Sequence, residues 1–209
     1  MIQSTRVRSE NNIFDFISKF MSFTDEEIKV ISDLDVLKPF KKGTILLEEG
    51  ALSTNGYFVL KGCLRSFYMV EGEERTTAFY TEFEVINPYC IISGQPSKYY
   101  ISCVEESILL VTNPAIKREL FKRLPRFESL YNLLSEQLLA KSQTSFDEFK
   151  ISTPEQRYLN LRKTRPDLIQ RIPQNQIASY LGITPPSLSR LRGRIVDRKA
   201  RAVQFLNLS

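Results

Sequence analysis

Arg190, Arg192 and Arg194, with Ser187 and Ser189 beside them, are the side chains best suited to recognition chemistry in this 209-residue chain. A guanidinium is a rigid fork of donors that matches a phosphate or the edge of a guanine, and a serine hydroxyl suits a phosphate oxygen. The surroundings fit a polyanion. Of 29 basic and 24 acidic residues, eleven and two lie between Arg157 and Arg201, leaving 18 and 22 elsewhere. One end of the chain is therefore strongly basic and the remainder mildly acidic, although the net charge is only +5. A basic segment on an acidic body implies a polyanionic partner for that segment alone.

Other chemistries are poorly served. The chain contains no histidine, which removes Ser-His-Asp and Cys-His nucleophile systems, histidine zinc sites and histidine-ligated haem. The three cysteines, Cys63, Cys90 and Cys103, form no C-x-x-C pair and read as buried free thiols rather than metal ligands. No metal and no cofactor is expected. No apolar run approaches a membrane span, and the N-terminus lacks a signal-peptide core. The chain reads as a cytoplasmic, non-enzymatic protein.

The basic side chains need a scaffold, and Gln174 to Leu191 supplies one. Ile177, Leu181, Ile183, Leu188 and Leu191 provide apolar contacts between two short helices, and Ala178 is small where they cross. Gly182 stands where the turn needs a left-handed backbone. Thr184 caps the second helix and Pro185 is its first residue. This specifies a helix-turn-helix over roughly 173–193. Arg190, Ser187 and Pro186 are the candidates for base contact. Gln174, Thr184, Ser189, Arg192 and Arg194 are those for phosphate contact.

Upstream, residues 11–35 predict two short helices, the second capped by Thr24 ahead of three acids. From Leu37 to about Pro114, short β-branched and aromatic runs alternate with turn signals such as Lys42-Gly43, Lys61-Gly62 and Glu71-Gly72, predicting a barrel or sandwich. Pro125 opens a helix of ~25 residues. Its stripe of Phe127, Leu130, Tyr131, Leu134 and Leu138 packs either on the chain's own barrel or on a second copy, and the second is expected. Ser152-Thr153-Pro154-Glu155 starts a further helix. The expected organisation is α+β: a sensor domain over 1–124, a dimerisation helix over 125–151 and a DNA-binding domain over 152–209.

With these parts in order, the chain resembles the Crp/Fnr family of bacterial transcription regulators. Lys42-Gly43-Thr44-Ile45-Leu46 with Glu49-Gly50, and Tyr57-Phe58-Val59-Leu60-Lys61-Gly62, look like that family's cyclic-nucleotide-binding β-roll, a double-stranded β-helix. Ile177 to Thr184 with Leu188-Ser189-Arg190 looks like its DNA-reading unit. The resemblance implies a homodimer, double-stranded DNA and RNA polymerase as partners, and a small-molecule effector of unassigned identity. It also implies a ligand pocket, for which Arg65, Glu84, Ser97 and Lys98 are the candidates. Here the chain departs from the family. Phe83 to Pro88 lacks the Gly-Glu pair that holds a ribose, and Ser97-Lys98 replaces an arginine pair that holds a phosphate. Response to cyclic AMP is therefore not expected. Clustered N-terminal cysteines of the iron–sulfur branch are absent. The C-terminal wing lacks its glycine turn, and Ala200 to Leu206 is expected to be at most one strand.

Two rivals belong to other classes. A small-molecule sensor whose helix-turn-helix contacts protein would show no salt-dependent DNA binding. A cupin-type enzyme would need metal ligands that the absence of histidine denies it.

Overall fold

The computed structural model describes residues 24–206; the apolar pattern from Ile13 to Met21 lies outside them. The chain forms two compact units, one of residues 1–66 and 79–140, the other of residues 67–78 and 141–209.

In the first unit, helix α1 (Asp25–Asp33) starts at the capping box expected from its sequence. The Thr24 hydroxyl accepts from Glu27 N, and the Glu27 carboxylate accepts from Thr24 N. Eight strands follow: β1 (Leu37–Phe40), β2 (Ile45–Leu47), β3 (Gly56–Lys61), β4 (Leu64–Val70), β5 (Glu73–Tyr80), β6 (Val85–Ile86), β7 (Tyr100–Cys103) and β8 (Ser107–Thr112). A short helix α2 (Tyr89–Ser93) lies between β6 and β7. Two four-stranded sheets result, ordered β1-β8-β3-β6 and β2-β7-β4-β5. The pairings β1–β8, β3–β8, β3–β6 and β2–β7 are antiparallel, with Leu37 opposite Leu110 at the seam between the first and last strands.

Alternation along the strands decides what each face buries. Tyr57, Val59, Ile86 and Leu109 of one sheet meet Leu47, Leu64, Ile101 and Cys103 of the other in the core of the roll. Phe58, Leu60 and Leu110 occupy the opposite face of the first sheet. Lys61-Gly62 closes β3 as its sequence suggests. Gly62 has φ of 104°, and a Cβ there would stand 2.7 Å from the Glu106 carbonyl, so no other residue fits. Two helices complete this side: α3 (Pro114–Arg123), capped by Asn113, and the 27-residue α4 (Pro125–Ile151). A cluster of Val30, Ile31, Val36, Leu120 and Leu124 buries α1 and α3 together.

The second unit holds α5 (Pro154–Thr164), α6 (Pro166–Arg171), α7 (Gln174–Tyr180) and α8 (Pro185–Leu206). Thr153 caps α5 through a capping box with Gln156. Tyr158, Leu161, Leu168, Ile172, Ile177, Ala178, Leu181, Leu188, Leu191 and Ile195 are buried. One expectation is corrected here. Ala200 to Leu206 is not a strand but the last two turns of α8, and no wing hairpin occurs among the described residues. The reason is local. Ile195, Ala202 and Leu206 recur at helical spacing, Ala, Arg, Lys and Gln are good helix formers, and no glycine interrupts the run after Gly193.

Candidate nucleic-acid interface

Helix α7 ends in a turn whose hydrogen bonds account for its sequence. Gly182 N donates to Ser179 O and Ile183 N to Ala178 O, both at 3.0 Å, with Gly182 at φ of 70°. This is a Schellman closure, which satisfies the last carbonyls of α7 and aims the chain at α8. Leu188 N then donates to Thr184 O at 3.0 Å, and the Thr184 hydroxyl lies 2.9 Å from that of Ser187. Thr184 and Pro185 therefore stand at the start of α8 as their types predict.

Leu188, Leu191 and Ile195 bury one stripe of α8. At about 100° per residue, Pro186, Arg190, Gly193 and Arg194 cluster on the opposite side, and all four are exposed. Ser187, half-buried, flanks them. Two of the three base-contact candidates, Pro186 and Arg190, thus share one outward face with Arg194, and Ser187 lies at its border. Ser189 is exposed on its edge. Arg192 lies elsewhere: its guanidinium donates to the Gln174 side chain at 2.6 Å, joining α8 to the first residue of α7. Two of the expected phosphate contacts are therefore coupled to each other across the two helices.

Two positioning groups escaped the sequence reading. Arg157 on α5 donates through Nε to Leu181 O at 3.1 Å and through Nη1 to Ser152 O at 2.8 Å and Phe149 O at 3.2 Å. Its guanidinium also covers the Phe149 ring at 4.2 Å. Ser179 on α7 is the other. Its hydroxyl accepts from Thr76 N and donates to Glu74 O, both at 2.9 Å, so the first residues of β5 are fastened to α7. Arg157 belongs to no local motif, and Ser179, although within the helix-turn-helix segment, carries no local signal of its partners 103 and 105 positions away.

Residues 37–124 match the family model of the cyclic nucleotide-binding domain. The chain is 25% identical over 191 residues to the fumarate and nitrate reduction regulatory protein of Vibrio cholerae, covering 81% of this chain and 74% of that one. Residues 37–124 thus resemble a cyclic nucleotide-binding domain, and the chain is similar along most of its length to a regulatory protein. Solved structures share its fold. A CooA variant from Carboxydothermus hydrogenoformans matches with a TM-score of 0.66 at 16% identity, covering 87% of this chain and 83% of that one. The c-di-GMP-responsive regulator CLP of Xanthomonas campestris matches at 0.64 and 12% identity, covering 84% and 93%.

In residues 37–124, the side chains expected to form a ligand pocket are largely engaged by nearby backbone. The Glu84 carboxylate accepts from Thr81 N at 2.7 Å. The Ser97 hydroxyl donates to Tyr99 O at 2.8 Å and accepts from Tyr99 N. Arg65 is buried on β4, whereas Lys98 is exposed. A ribose or phosphate contacting Glu84 or Ser97 would compete with these bonds. Of the expected dimer stripe, Phe127, Leu130, Tyr131 and Leu134 line a cleft with the chain's own first sheet, and Leu138 is half-buried. Exposed instead on α4 are Leu133, Leu139 and Phe146. Among the described residues, no helix is long and apolar enough to cross a membrane, and no acid or cysteine cluster could hold a metal.

Proposed function

We propose that this protein is a sequence-specific transcription regulator that binds double-stranded DNA as a homodimer, without a requirement for cyclic AMP. The observation that carries this reading is the α7–turn–α8 geometry, which presents Pro186, Arg190 and Arg194 on one exposed face. An α-helix fits the major groove, and an arginine there can take the O6 and N7 of a guanine together. Two copies related by a two-fold axis would read half-sites about 34 Å apart, the pitch of the duplex. Leu139 and Phe146, one heptad apart on the side of α4 away from the cleft, supply an apolar seam for a second copy. RNA polymerase is the further partner this reading implies.

Enrichment of fragments from a random DNA pool by the purified protein, with and without cyclic AMP, tests the reading. A two-fold symmetric motif is expected in both conditions, and Arg190→Ala should lose it. Enrichment that requires the nucleotide would overturn the cyclic AMP statement alone. Absence of salt-dependent DNA binding in any condition would favour a helix-turn-helix used for protein contact.

A further inference from the structure

Among the described residues, the outer face of the β1-β8-β3-β6 sheet is incompletely covered. Between it, α1, α3 and the first turns of α4 lies a cleft with about 750 Å³ of empty space, part of it open to solvent. Phe58 and Leu110 form its floor, Leu120 one wall, and Leu130, Tyr131 and Leu134 the other. Strand alternation turns the floor residues Phe58 and Leu110 away from Val59 and Leu109 in the core of the roll. None of Arg65, Glu84, Ser97 and Lys98 lines it.

One charge stands in this apolar lining. The Lys117 ammonium lies 4.0 Å from the centroid of the Tyr131 ring and 5.8 Å from that of Phe121. Every other lining residue is neutral. Lys117 also falls in the N-terminal turn of α3, which carries no acid. A cation is electrostatically misplaced there, since the helix dipole already puts positive charge at that end. An anion beside the ammonium would answer both charges at once. Asn87 and Thr112 add polar groups at the same cleft.

We propose that this cleft binds a small amphipathic carboxylate, with its hydrocarbon body against Phe58, Leu110 and Leu130 and its carboxylate on Lys117. The occupant would touch α4 through Leu130, Tyr131 and Leu134 and so deliver binding energy to the long helix. This inference stands apart from the DNA-binding reading, and its test reads ligand binding directly.

The full chain is titrated calorimetrically with decanoate and, separately, with decanol, which has the same hydrocarbon body and a neutral head. Saturable binding of one decanoate per chain is expected, about tenfold tighter than decanol, the gain typical of one charge-assisted contact. Lys117→Met should abolish that preference. Leu130→Trp, and separately Leu134→Trp, should fill the cleft and weaken both probes at least about tenfold, provided that each variant melts as cooperatively as the parent. Absence of saturable binding, as when residues 1–23 or a second copy already occupy the cleft, overturns the proposal. So does equal affinity for the two probes, or undiminished binding in a folded tryptophan variant.

Discussion

The Nε of Arg157 donates to the carbonyl of Leu181 at 3.1 Å, joining helix α5 to the turn on which the recognition helix depends. The same guanidinium holds Ser152 O and Phe149 O. Arg157→Ala removes all three contacts and leaves carbonyls short of partners. A loss of about 1–3 kcal/mol in the unfolding free energy of the second unit is expected, read from urea titrations of the full chain. Lysine at this position should rescue little, because an ammonium cannot serve three carbonyls from one planar fork.

Arg190 and Arg192 differ in environment and should differ in effect. Replacing Arg190 with alanine is expected to remove about 1–3 kcal/mol of discrimination at one base pair. Fluorescence anisotropy on the selected site and its single-base variants would show that position relaxed and the others kept. Arg192→Ala should weaken all sequences alike and flatten the salt dependence of binding. It also releases Gln174 from α8, so Gln174→Ala should reproduce part of the Arg192 defect.

The two glycines of the reading unit give opposite predictions. Gly193 sits in mid-helix with open space where a Cβ would stand. Gly193→Ala should stabilise α8 by about 0.5–1 kcal/mol, seen as a higher melting temperature of the second unit. Gly182 has φ of 70°, and a Cβ there would lie 3.2 Å from the Phe149 ring. Gly182→Ala should lower the melting temperature and weaken DNA binding, since backbone strain and ring contact add together.

Burial pushes the Cys103 thiol from its ordinary value of 9.0 up to about 11, against a hydrogen bond with Ser107 that pulls it down. Burial raises the Tyr57 hydroxyl as well. A raised acid retains its proton more firmly when folded, so the contribution of Cys103 is complete below pH 9. It is lost as pH rises from 9 towards 11. Urea midpoints should therefore fall across that window. Iodoacetamide should leave Cys103 unmodified in the folded protein at pH 8 and label it once urea unfolds the chain.

Much of this organisation was legible in the sequence, because the residues that dictate it act locally. Thr24 and Thr153 announce their helices through a side chain three residues away from its partner. Gly182 declares its turn because few other residues tolerate that φ. Strand texture was legible for the same reason: Leu64 to Val70 forms β4 with the bounds its sequence suggests. What the sequence concealed was the choice of partner. The spacing of Phe127, Leu130 and Leu134 requires an apolar neighbour but does not say which, and much of that neighbour is the chain's own sheet. Arg157 meets Leu181 across 24 positions, and Ser179 meets Glu74 across 105. No periodicity records such distances. The last turns of α8 differ from the single strand expected there because the run has no hairpin glycine and is composed largely of good helix formers.

The pairing of Leu37 with Leu110 has a consequence for how the chain is made. β1 emerges from the ribosome early and has no strand to join until β8 follows. At about 5–20 residues per second, that interval lasts several seconds. The second unit owes most of its core to helices adjacent in sequence and can close as soon as they are synthesised. A nascent first unit therefore spends those seconds with an open seam on an apolar face. Holding that seam apart from other chains is the slow and vulnerable stage of this protein's biogenesis, while the reading head assembles quickly at the end.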